Sequence, residues 1–425
     1  MRPVGETLLS TSRIVESVAL SQLTRGLWRS LDHKGERTNV SSQYHDDSLQ
    51  ETQQFNSANE IGTESVHISP YSHGRGREEY CKGLSRSLCT YGISLRRARQ
   101  FDDACKAAAE AVALSRHLYE RDREQYCEHL SNILYEYEYS LREAQRFDDA
   151  CKVGTENVAL SRHLYDGDPN QYRKGLARSL CLYDVSLQEA KRFNEACEAG
   201  AEGVSLSRHL YDRDPNQYRG ELARSLCWYG ISLREAKRFN EACEAGAEGV
   251  SLSRHLYDRD QSRYHEGLAL SLSHHCLSLR KAKRFSEACQ ASAEGVVLSR
   301  CLYDRDPNQY GEGLARSLHQ YGISLQNDGQ SNSACEVVTE AVVLIGRLYD
   351  RDPDQYRHKL ALALCHYDNT LREADRSEDA RALSRRHFGL FRQLYHAGGA
   401  LDSGVAEYIH ERYGTPPQWE EDRRD

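Results

Sequence analysis

Cysteine and histidine recur in this chain at a constant spacing, and both side chains can bind metals or take part in redox chemistry. Six cysteines follow one another at intervals of 46 residues, namely Cys105, Cys151, Cys197, Cys243, Cys289 and Cys335. Two further rows keep the same period, one of cysteine (Cys89, Cys181, Cys227 and Cys365) and one of histidine (His117, His163, His209 and His255). Metal ligands must converge on one ion, whereas equivalent residues on packed helices lie ~8–10 Å apart or more. We therefore interpret the cysteines as small buried residues and the histidines as residues near helix ends.

No other chemical motif stands out. The sequence has no CxxC pair, no glycine-rich phosphate loop, no nucleophile elbow and no distinctive carboxylate pair. These are the patterns that metal sites, nucleotide sites and hydrolases show. We therefore predict no catalytic residue, no metal site and no cofactor, and we expect a protein that is not an enzyme.

Arginine forms the rows that are most suggestive of binding. Two rows of arginine follow the repeat, namely Arg86, Arg178, Arg224 and Arg316, and then Arg96, Arg142, Arg234, Arg280 and Arg372. Repeated guanidinium groups on one surface attract carboxylates and can bind them through two parallel hydrogen bonds. The alternative is that the arginines pair with nearby glutamates such as Glu143, Glu189 and Glu235, or are solvated, in which case each pair contributes little. Both interpretations remain open from the sequence.

The rows arise from a repeat of 46 residues. Residues Glu189–Asp214 recur letter for letter as Glu235–Asp260, and tyrosine returns at the same interval seven times in each of two registers. A fixed period of this size indicates a stack of identical supersecondary units. We predict a damaged repeat fragment over residues 1–33, one eroded and seven full repeats over 34–395, and a short capping helix with a polar tail over 396–425.

Each repeat has the pattern of two helices. Leu222, Leu226, Tyr229 and Leu233 are spaced by four, three and four residues, which places them on one face of a first helix. A second stripe follows after only a basic pair of residues, so the two helices must form an antiparallel hairpin. Asp214, followed by a proline, is suited to cap the next first helix.

Overall composition restricts the classes of partner. The chain has 56 basic and 64 acidic residues and a formal charge of −8, so it lacks the basic excess that nucleic-acid binding needs. No window is long and apolar enough for a membrane span, and the first residues do not resemble a signal peptide. We expect a cytoplasmic protein that binds neither nucleic acid nor membranes.

The positions Leu226, Tyr229, Gly230, Phe239 and Ala242 resemble the signature of the tetratricopeptide repeat (TPR), in the long-period form found in kinesin light chains. The resemblance implies an all-α fold: a right-handed α-solenoid of tandem helix-turn-helix, TPR-like repeats whose first helices line a concave groove for a partner peptide. It also implies that the nine arginines face this groove. The chain departs from the family where Glu138, Asp184, Cys276 and Asp368 replace the family glycine.

Glycine also interrupts the second helices. Gly246 and Gly249 occupy places where the first full repeat has Ala108 and Ala111. Glycine costs a helix about 1 kcal/mol relative to alanine, so a close approach by a neighbouring helix would be one reason for it. We favour exchange among small residues, which predicts that Gly246→Ala is neutral or stabilising.

The sequence thus favours a non-catalytic interaction scaffold that binds a protein or peptide segment, an acidic one by preference, in the groove. The alternative is a detached or decaying sensor array from a larger receptor with a nucleotide-dependent switch. Such an array would have no activity of its own.

Overall fold

A computed structural model of the chain describes residues 75–383. The helices in this range are α1 (Arg75–Arg97), α2 (Phe101–Arg121), α3 (Arg123–Glu143), α4 (Phe147–Gly167), α5 (Pro169–Glu189), α6 (Phe193–Arg213), α7 (Pro215–Glu235), α8 (Phe239–Arg259), α9 (Gln261–Lys281), α10 (Phe285–Arg305), α11 (Pro307–Asn327), α12 (Ser331–Arg351) and α13 (Pro353–Glu373). Another helix begins at residue 377, and residues 75–383 contain no strand. The predicted fold class, an all-helical solenoid of 46-residue repeats, is confirmed. The predicted segments 1–33 and 396–425, the start of the eroded repeat at residue 34 and the end of the last repeat at 395 lie outside the described residues.

Odd-numbered helices are the first helices of the repeats, and even-numbered helices are the second helices. Each first helix ends in a tight turn, as at Lys237, which has a φ of 65°. The amide of Lys237 donates to the Arg234 carbonyl, and the amide of Arg238 donates to the Leu233 carbonyl. This is a Schellman motif, whose left-handed position usually holds glycine. Only Gly329 meets that preference within residues 75–383, since the equivalent residues are lysine, arginine, glutamine or aspartate.

One residue separates each second helix from the next first helix. Asp214 follows α6, and its carboxylate accepts hydrogen bonds from the amides of Asn216 and Gln217 at 3.0 and 3.1 Å. Pro215 occupies the first helical position, where the missing donor costs nothing. The predicted cap is therefore confirmed, and Asp168 and Asp306 repeat it.

The described chain divides within α8 into two units, the N-terminal unit (residues 75–252) and the C-terminal unit (residues 253–383). In the N-terminal unit α1 to α7 pack in order, and successive first helices also contact one another. The core of this unit repeats every 46 residues, as shown by the fully buried Leu134, Leu180 and Leu226. In the C-terminal unit α9 to α13 pack in the same way, and Leu272, Leu318 and Leu364 continue the row.

Ion pairs join the second helices of successive repeats on their exposed side. In the N-terminal unit they are Arg116–Glu156, Arg162–Glu202 and Arg208–Glu248, and in the C-terminal unit they are Arg254–Glu294 and Arg300–Glu340. We call this set the arginine–glutamate ladder. Each pair joins residues that are forty apart in sequence, so the ladder repeats the same contact from one repeat to the next.

Candidate interaction surface on the first helices

All nine arginines singled out from the sequence lie on first helices, but their surroundings differ. Arg86 and Arg178 are exposed, Arg224 is half-buried, and Arg142 and Arg234 are buried. The remaining four, Arg96, Arg280, Arg316 and Arg372, are half-buried. The two rows therefore do not form one uniform basic surface.

Arg142 and Arg234 take part in packing between helices. The Nε and Nη2 atoms of Arg142, on α3, each donate to Glu189 of the next first helix at 3.2 Å. Burial lowers the pKa of Arg142, but the charge and hydrogen bonds of Glu189 outweigh it and raise the pKa above its usual value. Arg234 is held by Glu235 at 3.1 Å. Both side chains are buried, and the groove position that the resemblance implies stays a prediction for these two residues.

Arg96 and Arg178 surround an acidic and aromatic segment of α3. Arg96 donates to Glu136 at 2.9 Å and lies 4.2 Å above the ring of Tyr139. Arg178 lies 4.0 Å above the ring of Tyr135, and its Nη2 atom is 3.9 Å from Glu136. Its side chain nevertheless keeps 59% of its area exposed. A stacked guanidinium of this kind is oriented in advance and still accessible.

In the C-terminal unit the arginines have other environments. Arg372 donates to Asp368 within α13 at 2.7 and 3.2 Å. Arg316 is flanked on α11 by Glu312, whose carboxylate accepts from Lys359 at 2.6 Å and from Tyr356 at 3.1 Å. Burial lowers the pKa of Arg316 to about 10, and Glu312 opposes this only in part.

Two fully buried acids lie beside this surface. Glu138 and Asp184 occupy equivalent positions on α3 and α5, with 0% and 1% of their area exposed. Ser186 donates to Glu138 at 2.7 Å, and Ser232 donates to Asp184 through a short hydrogen bond. Gln188 also donates to Asp184, at 3.0 Å. Burial raises the pKa of Glu138 to about 8 and that of Asp184 to about 7.

Glycines on the second helices make room for these acids. A Cβ atom at Gly154 would lie 2.7 Å from Oε1 of Glu138, and one at Gly200 would lie 3.0 Å from Oδ2 of Asp184 and 2.8 Å from the Tyr229 ring. Distances this short require the neighbours to move. Gly246, in the identical stretch of the next repeat, lies opposite Gly230 where Gly200 lies opposite Asp184, so the neutral or stabilising effect expected of Gly246→Ala stays a prediction.

The same pair of positions shows the reverse arrangement elsewhere. At Gly322, which is equivalent to Glu138, a Cβ atom would lie 2.4 Å from Val338, which is equivalent to Gly154. A large residue on one helix therefore meets glycine on the other. In the sequence the acids are recognisable only as departures from the family glycine. The sequence does not show that glycines on the second helices make room for them.

The cysteine and histidine rows have the surroundings that the sequence predicts. All six cysteines of the row that begins at Cys105 are buried, and the four histidines of the row that begins at His117 are exposed on second helices. Burial raises the pKa of Cys105 and Cys151, which suppresses the reactive thiolate. Within the described residues, no group of three or more potential ligands could hold a metal ion.

Several solved structures are similar to this chain at low sequence identity. BtubC (BKLC) from P. vanneervenii is 14% identical over 59% of this chain and 92% of that chain, with a TM-score of 0.46. The apo form of RapI is 13% identical over 73% and 99%, with a TM-score of 0.49. A putative kinesin light chain from Podosopora anserina, with nearly identical TPR-like repeats, is 14% identical over 51% and 95%, with a TM-score of 0.41. No family model and no curated protein matches the sequence.

The fold is TPR-like. The repeated hairpins, the packing of first helices on first helices and the motif around Leu226 and Gly230 all have this character. In the part of this TPR-like array that the structure describes, no helix is long and apolar enough to cross a bilayer.

Proposed function

We propose that this TPR-like array is a non-catalytic scaffold for protein interaction, and that its first-helix surface binds a peptide or protein segment. Arg178 carries the proposal. Its guanidinium is exposed, and the ring of Tyr135 holds it in place. A cation that is already oriented loses less conformational entropy when a partner binds.

The opposite side of the array supports this assignment by contrast. The arginines on the exposed side of the second helices are committed to the arginine–glutamate ladder, in which each guanidinium faces a glutamate of the next repeat. The first helices carry Arg86 and Arg178, both exposed, and Arg224, half-buried. Arg178 stacks on Tyr135, and its Nη2 atom lies 3.9 Å from Glu136, beyond hydrogen-bond distance. Arg86, Arg178 and Arg224 are the contact residues that we propose for the N-terminal unit.

Charge indicates the class of segment. Guanidinium groups bind carboxylates through paired hydrogen bonds, and aromatic rings beside them add contact area at little entropic cost. An acidic segment of a partner protein is therefore the favoured ligand. Its contacts would weaken as ionic strength rises, because exposed charges are screened.

The experiment compares charge reversal on the two faces. A photo-crosslinking amino acid in place of Gly175, an exposed residue of α5 with open space around it, should capture partners from cytosol at low salt, and capture should be lost in the double variant Arg178→Glu and Arg224→Glu. The control reverses two ladder arginines, Arg162→Glu and Arg208→Glu, and should retain capture. Equal loss in both double variants, or no reproducible capture by the unmodified array, would contradict the proposal.

A further inference from the structure

The carboxylate of Glu136 lies between two arginines in the N-terminal unit. Its Oε2 atom accepts from Arg96 of the preceding first helix at 2.9 Å, and its Oε1 atom lies 3.9 Å from Nη2 of Arg178 of the following one. One side-chain carboxylate thus serves guanidinium groups from both neighbouring repeats.

Within α3 to α13, Glu136 is the one carboxylate at this register position, because Leu182 and Trp228 hold it in the rest of the N-terminal unit. The 46-residue period places His274, Gln320 and His366 where the N-terminal unit has Glu136, and it places Arg316 where that unit has Arg178. Arg316 therefore follows a repeat that has the imidazole of His274 in place of the carboxylate. Gln320, one helical turn after Arg316 on the same face of α11, is also neutral.

Arg316 and Gln320, which both lie on α11, have hydrogen-bond donors without an acceptor. The Nη1 atom of Arg316 and the Nε2 atom of Gln320 are buried, and neither has a hydrogen-bond partner among the described residues. Gln320 as a whole is 3% exposed. The carboxylate of Glu312, one turn before Arg316, is taken up by Lys359 and Tyr356 of α13. Buried donors without an acceptor cost free energy, and an incoming acceptor removes that cost.

We propose that Arg316 and Gln320 form a binding site for a side-chain carboxylate of an acidic peptide segment. This rests on the proposed function and locates one contact of it in the C-terminal unit. The ligand group is of the kind that the chain itself places near Arg178 in the N-terminal unit, where the carboxylate of Glu136 lies 3.9 Å from the guanidinium. A guanidinium and an amide one turn apart present donors to the two oxygens of one carboxylate.

The test uses a fluorescein-labelled oligoglutamate peptide, whose binding to the full chain is followed by fluorescence anisotropy at low salt. Gln320→Glu supplies the carboxylate within the chain and should weaken binding about tenfold or more, because the site is then occupied. Arg316→Gln should weaken binding by a similar factor. Arg300→Gln, which changes a ladder arginine in the same unit, is the control and should stay within about twofold.

Gln320→Glu also separates lost binding from lost folding. The new carboxylate lies one turn from Arg316 and at the register position from which Glu136 accepts from Arg96, so it has a guanidinium partner and the melting temperature should not fall. Unchanged affinity in Gln320→Glu, or an equal loss in Arg300→Gln, would overturn the site. The site would also be overturned if the peptide failed to bind while inorganic phosphate raised the melting temperature of the wild type and not that of Arg316→Gln. These variants leave Arg178 and Arg224 intact, so their failure is distinct from failure of capture by the N-terminal unit.

Discussion

Removing the charge of one buried acid should change how stability depends on pH. Asp184→Asn keeps the shape of the side chain, and its oxygen can still accept from Ser232 and Gln188, which both donate to Oδ1 in the structure. The substitution removes only the titration. Glu138 remains as the second buried acid of the N-terminal unit.

The size of this change in pH dependence follows from the two pKa shifts. In unfolded chains these carboxyl groups titrate near a pH of about 4, whereas burial raises the pKa of Asp184 to about 7 and that of Glu138 to about 8. Between those limits each acid binds its proton only in the folded state. The stability contributed by each is complete below the unfolded pKa and is lost as pH rises through the folded pKa, at about 1.4 kcal/mol per pH unit. The two acids together lower the free energy of unfolding by about 2.7 kcal/mol per unit near pH 5 to 6, and Asp184→Asn should remove half of that slope.

Urea unfolding of the full chain, followed by circular dichroism at several values between pH 5 and pH 8, measures the effect. The midpoints of wild type and Asp184→Asn should differ least at pH 5 and diverge as the pH rises to 7, and the variant should be the more resistant at pH 8. Other titrating groups contribute equally to both proteins, so the difference isolates Asp184. Asp148→Asn, which removes an exposed carboxylate from α4, controls for the change in net charge. A constant difference between wild type and Asp184→Asn across the pH range would refute the reasoning.

Four further substitutions test the packing and the turns. Arg142→Ala should destabilise the array by about 3–5 kcal/mol in urea unfolding, because it leaves the glutamate partner buried without its cation; a loss below 1 kcal/mol would show that the pair is solvated. Lys237→Gly should stabilise by about 1 kcal/mol by removing a side chain from a left-handed position, and Gly329→Lys should cost a similar amount; thermal melts with the opposite signs would contradict the turn geometry. Gly200→Ala should destabilise by about 1–3 kcal/mol because its methyl group meets the ring of Tyr229, and a neutral or stabilised melt would restore the simpler view of this glycine.

The repeat itself made most of the architecture predictable. The apolar stripe of Leu222, Leu226 and Leu233 gave the first helix and its buried face, and Asp214 gave the connector and its cap, because these features depend on residues near one another in sequence. Because the repeats recur every 46 residues, the helices predicted for one repeat could be assigned to the others. A single copy would not allow this.

The contacts of polar residues were beyond that reasoning. Arg142 and Arg178 have the same residue type on the same kind of helix, yet one is buried against Glu189 and the other lies exposed on Tyr135. The difference comes from residues in the neighbouring repeat. The 46-residue period shows which residues are equivalent, but it does not show which side chains come into contact. The same holds for Glu138, whose burial depends on a glycine in the partner helix and a serine in the next repeat.

The arginine–glutamate ladder has a consequence for how such an array can change length. Because every rung uses the same two residue types at the same separation, recombination between identical stretches would leave a matched junction. Loss of residues 190–235, for example, would bring Arg162 opposite Glu248, and that pair would be chemically the same as the one removed. The ladder makes neighbouring repeats interchangeable, so whole hairpins can be gained or deleted in evolution without redesign of the surfaces that meet.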